Sequence, residues 1–165
     1  MGFELIKDTR LEPGSPSMPE PLAQLHAYWD KLRAGRAMPR RTEVDPVDIA
    51  GHLRRVHLMS VEGPDTFRFR IYGGGVTNPD AVDMTGRTTM DYSNPEFCRL
   101  VTRHLGECVA EAKPVSYEVI ALLDAEPYEY TFIALPLSEN GSDVNMLLVR
   151  SVRITVPDKV RRWQT

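Results

Sequence analysis

Residues 114–154 contain three successive β-type runs separated only by turn chemistry. A triplet of this kind commits the chain to an antiparallel sheet, because turns this short can join only neighbouring antiparallel strands. The first run, PVSYEVIALLD, places Val115, Tyr117, Val119, Ala121 and Leu123 on one phase and Ser116, Glu118, Ile120 and Leu122 on the other. It ends at Asp124–Pro127. The second, YEYTFIALPL, is rich in the aromatic and β-branched residues that suit a pleated surface. It closes at Ser138–Asp143, where Asn140-Gly141 can supply the positive φ angles of a hairpin. The third, VNMLLVRSVRI, completes a meander. The middles of the outer two runs, VIALL and MLLV, are apolar on both phases, so both faces of the sheet must be covered. The covering helices must come from earlier in the chain.

A chain of 165 residues suits one domain with tails. Its net charge of −3 is too small to steer nucleic acid. No window approaches the ~20 apolar residues of a membrane span, and the start, MGFELIKDTR, has no secretory pattern. A cytoplasmic protein is expected. Cys98 and Cys108 fall ten residues apart on one expected helix, too far for a disulfide, and no CxxC spacing points to a metal.

Residues 1–20 read as a flexible lead-in, because Pro13, Pro16 and Pro19, with Pro21 following, support neither helix nor strand. A helix is expected from Pro21 to Ala34 with a stripe of Leu22, Leu25, Trp29 and Leu32. That stripe either covers the sheet of its own chain, the preferred reading, or forms a dimer or partner surface. Arg33, Arg36, Arg40 and Arg41 follow as a basic cluster, read as a solvated rim with an anion site as the minor alternative. Asp45-Pro46 starts a short helical turn. Two strands come next, RVHLMSVE and FRFRIYG. In the second, Phe67, Phe69 and Ile71 alternate with Arg68, Arg70 and Tyr72, giving one buried and one wet face. Gly73-Gly74-Gly75 lacks the spacing of either phosphate loop and reads as a tight bend. A long helix is expected from Asn94 to about Lys113, with Phe97, Val101, His104, Leu105, Cys108 and Ala112 on its apolar face. The tail, 155–165, has no assigned role.

This order, with Tyr28-Trp29, Leu32-Arg33, Pro39-x-Arg41, Asp45-Pro46, Phe69-Arg70-Ile71-Tyr72-Gly73 and Asp83-Met84-Thr85-Gly86-Arg87, resembles the PAS-like family of single-domain alphaproteobacterial proteins. The resemblance covers about residues 20–154. It implies an α+β fold with a five-stranded antiparallel sheet of order 2-1-5-4-3, covering helices and an N-terminal helix. It also implies a sensory or signalling module that works by protein–protein interaction, through a separate signalling partner or a homodimer.

In such domains a pocket lies between sheet and long helix. Here the resemblance points to Tyr72, Met90, Tyr92, Phe97, Val101, His104, Tyr117 and Tyr130 as its lining. A packed core without ligand is the equal alternative. Haem-binding members use a histidine of that helix, which makes His104 the one candidate ligand, although a core histidine satisfied by a hydrogen bond is the preferred reading. A flavin adduct is rejected, because Cys98-Arg99 lies within the helix rather than in the loop before it. The four histidines have no metal spacing and no nucleophile elbow is present, so no enzyme is expected. The competing class is a cone-shaped α+β enzyme of the ketosteroid isomerase type, which requires a pocket Asp or Glu as base.

Overall fold

The computed structural model describes residues 2–160, apart from the side chains of 153 and 154; residues 161–165, most of the expected tail, lie outside the described residues. Six strands form one antiparallel sheet: β1 (Phe3–Leu11), β2 (Val56–Gly63), β3 (Thr66–Ile71), β4 (Val115–Leu123), β5 (Glu126–Leu137) and β6 (Met146–Thr155). Their spatial order is β1-β4-β5-β6-β2-β3. The meander β4-β5-β6 is present, and β2 pairs directly with β6, Val56 facing Arg150 and Ser60 facing Met146. Two helices, α1 (Glu20–Arg33) and α2 (Pro95–Glu111), lie on opposite faces.

The fold corrects the expected strand count from five to six. The added strand, β1, lies in the stretch expected to be a flexible lead-in, pairing with β4 from Phe3↔Leu123 to Leu11↔Ser116. An edge strand is held by backbone hydrogen bonds and needs no apolar phase. Only Phe3 of β1 is buried, so the period-2 signal that marks an inner strand is missing.

Each helix starts and stops for local reasons. Proline stands in the first turn of both, and Asn94 caps α2 by accepting from the N–H groups of Glu96 and Phe97 at 2.9 and 3.1 Å. Ala34 and Ala112 end them in the left-handed conformation. The α1 stripe faces its own sheet. Leu22, Leu25 and Trp29 are buried against Ile133, Leu135 and Leu137 of β5 and Leu148 of β6, with Leu32 at the margin. Trp29 Nε1 donates to the Pro136 carbonyl at 2.8 Å. The alternative of an intermolecular surface on these four residues is therefore withdrawn, since the area is consumed within the chain. The opposite face receives α2 through Phe97, Leu105 and Cys108, and both cysteines are free and buried.

The expected phase of β3 holds for Phe67 and Phe69 and fails at Ile71, which is 51% exposed. Phe69 faces Met59 and Ile71 faces Leu58, so two residues of β3 stand against one of β2. Such a bulge reverses the alternation, and it turns Tyr72 inward. The chain then leaves through Gly73–Gly75. A Cβ at Gly73 would lie 2.7 Å from the Val56 carbonyl oxygen and 2.9 Å from that of Arg54, both backbone atoms that cannot give way. Gly73→Ala is expected to lower stability by about 1–3 kcal/mol through overpacking. Gly74→Ala, which meets nothing within 4 Å, should stay within about 0.5 kcal/mol of wild type. Urea midpoints of the two variants give the comparison, and equal midpoints would discount the close approach.

Candidate functional site

Between α2 and the inner face of the sheet is a cavity of about 70 Å³, above the ~10–15 Å³ that a single water needs. Its floor is His57 and Met59 of β2, Tyr128, Tyr130 and Phe132 of β5, and Ser151 of β6; α2 contributes Phe97, Val101, His104 and Leu105. Tyr72, Asn78 and Tyr92 close it from the connecting segments. No Asp or Glu is in this lining.

Six of the eight residues expected here are brought together: Tyr72, Tyr92, Phe97, Val101, His104 and Tyr130. Met90 is not among them. Thr88 and Asp91 cap the short 3₁₀ turn Thr89–Asp91, which turns Thr89 inward onto Thr102 at 2.8 Å and leaves Met90 53% exposed. Tyr117 stands one layer back, stacked on the His104 ring at a centroid distance of 4.2 Å and donating to Glu107 at 2.6 Å.

The two buried histidines define the electrostatics. His57 Nδ1 accepts from the Gly73 N–H at 3.1 Å, so in the neutral ring the proton sits on Nε2. Burial pushes its pKa down to about 3. His104, 1% exposed, bonds through Nε2 to Asp8 Oδ1 at 2.9 Å. The ionised carboxylate can only accept, so Nε2 donates and Nδ1 is left as an acceptor. That Nδ1 is buried and has no partner. Burial lowers the pKa of His104 to about 4, with Asp8 opposing and Arg103 reinforcing the shift. Asp8 also pairs with Arg103, and Arg10 holds Glu111 through two bonds of 2.7 and 2.8 Å. The unexpected strand β1 is thus tied to α2 by charge at the point where α2 borders the cavity.

Haem does not fit these residues. Nε2 of His104 is engaged by Asp8, and a cavity of 70 Å³ cannot admit a macrocycle without dismantling the core. Cys98 lies in the first turn of α2, outside the cavity lining, donating to the Tyr92 carbonyl at 3.1 Å. Burial raises its thiol pKa, which disfavours the thiolate that an adduct would need. Among the described residues, no group of three or more His, Cys, Asp or Glu is placed to hold a metal, and no helix is long and apolar enough to cross a membrane.

Several lining residues escaped the sequence. His57 sits in an apolar strand, and a lone polar residue on a buried phase is the signal that could have found it. Asn78 precedes a proline and reads as turn chemistry, yet its side chain donates to Tyr72 Oη at 2.8 Å and to the Val82 carbonyl at 2.7 Å, holding the cavity rim. Asp8 could not be found without β1.

An antiparallel sheet with one helix inserted between its strand pair and its meander, closing over a small aromatic cavity, defines a class of α+β domain. The family model for the PAS domain matches residues 18–148, and the chain belongs to that family. Searches of the curated proteins and of the solved structures found no match. The family is one of sensory and signalling modules.

Proposed function

We propose that the protein is a sensory PAS module that takes a compact molecule into the core cavity and passes its presence to a partner protein, without catalysing a reaction. The observation that carries this reading is His104. One ring nitrogen is an unpartnered acceptor in a residue that borders the cavity, and the other is bonded to Asp8 of β1. A buried acceptor without a donor costs about 1–3 kcal/mol, which a ligand O–H or N–H would recover. The same imidazole would then feel the ligand on one side and act on the edge strand through the other. An isomerase-type enzyme is disfavoured by the lining, which offers aromatic rings and two neutral histidines but no carboxylate base.

Native mass spectrometry of freshly purified protein tests the reading, with hydrogen exchange followed in β1. The expected result is a co-purifying small molecule that is absent from Val101→Phe, a cavity-filling variant, with faster exchange of the β1 amides in that variant. Empty wild-type protein, together with β1 exchange indifferent to Val101→Phe, would remove the sensor and leave a scaffold.

A further inference from the structure

On the other side of the Gly73–Gly75 bend is a surface cleft of about 430 Å³ lined by Ala50, Gly51, Arg54, Arg55, Gly75 and Arg150. Three of the six lining residues are arginines and none is acidic. Arg150 is only 7% exposed. Its Nη1 donates to the adjacent Ser151 carbonyl at 3.2 Å, and its Nε is buried without an acceptor. Among the described residues, none of Arg54, Arg55 and Arg150 forms an ion pair. A buried guanidinium is ordinarily matched by a carboxylate, since leaving one unmatched is strongly unfavourable.

Like charge gathers here as well. Burial and then Arg55 lower the pKa of Arg150, and burial and then Arg150 lower that of neighbouring His52, whose Nδ1 is also buried without a partner. The other basic cluster of the chain behaves differently. Arg33 pairs with Asp30 at 2.6 Å and Arg36 with Glu43 at 2.7 Å, which neutralises two of its four arginines. The bend is shaped to the cleft. A Cβ on Gly75 would meet the Arg54 carbonyl oxygen at 2.9 Å and Arg55 Nε at 3.3 Å, so the glycine lets the loop lie against the arginine segment.

We propose that this cleft binds a phosphate-type oxyanion, with Arg150 as its buried anchor and Arg54 and Arg55 closing over it from the rim. Guanidinium groups present paired N–H donors that match the oxygens of a tetrahedral dianion. The volume also leaves space for an organic group attached to the phosphate.

Thermal unfolding of the full chain in sodium phosphate, against sodium chloride at equal ionic strength, tests the site. At ten times the dissociation constant, phosphate is expected to raise Tm by about 3–5 °C over chloride. Arg150→Met should lose this response while its Tm in chloride equals or exceeds that of wild type, because the variant removes an unmatched buried charge. Arg55→Gln, at an exposed position whose folding is not in question, should weaken phosphate binding at least tenfold. Glycerol 3-phosphate run in parallel separates the sources: tighter binding of the ester assigns the site to a phosphorylated small molecule, and tighter binding of the inorganic ion assigns it to free phosphate. Equal phosphate responses in wild type, Arg150→Met and Arg55→Gln would overturn the proposal, as would no response in wild type. None of these readouts depends on the core cavity.

Discussion

Trp29→Ala is expected to cost about 3–5 kcal/mol of folding stability, the range for deleting a buried indole, and to leave the Pro136 carbonyl without its donor. Trp29 is 5% exposed and stands between Leu25 on its own helix and the β5 residues that α1 covers. The loss should appear as a lower urea midpoint with little change of slope, and the elution volume of the folded fraction should match that of wild type. Were the stripe an intermolecular surface, the variant would instead dissociate an assembly and keep its unfolding free energy. That pair of results would sink the intrachain assignment of α1.

Acidification is the second large effect. The unfolded chain protonates its histidines near pH 6.5, whereas burial holds His57 at about 3 and His104 at about 4. Between those values the unfolded chain binds protons that the fold refuses, so stability is flat above about pH 6.5 and falls as pH drops below it. Each histidine removes up to about 1.4 kcal/mol per pH unit, and the contribution of His104 levels off below about pH 4. Carboxylates held low by cations, such as Glu111 by Arg10 and Asp124 by Lys159, add their own loss at lower pH. Urea midpoints measured from pH 8 down to pH 4 should show the decline, and His57→Gln and His104→Gln should each make it shallower. A wild-type profile flat across that interval would mean that the two rings protonate freely and are not held neutral by burial.

The elements that could be read from the sequence were those that bury a periodic face. The meander announced itself because β4 and β6 are apolar on both phases, and this property alone required helices on two sides, which α1 and α2 supply. The α2 face was legible from Phe97, Val101, His104 and Leu105 recurring at helical spacing, and so was most of the cavity wall. What stayed hidden depends on backbone detail that side-chain pattern does not encode. The bulge opposite Leu58 that sends Ile71 out and Tyr72 in is one case. The turn that exposes Met90 is another. Strand β1 is the most consequential, because its charged residues Asp8 and Arg10 find partners on α2, about a hundred positions further along the chain. Arg150 reads as one more residue of a mixed strand, and only the three-dimensional neighbourhood shows that no acid answers it.

The family match begins at residue 18, after β1 has ended. A fragment cut at that homology boundary would keep both hydrophobic layers yet bare the long flank of β4, nine residues with Val119, Ala121 and Leu123 all packed inward. Such a naked ladder of amide and carbonyl groups is a template for any passing strand. With β1 in place that flank is paired along its length by a strand of equal length that is bulged between Leu5 and Lys7 and carries charged side chains. Strand β1 is thus what stands between the backbone of β4 and a strand from a neighbouring molecule.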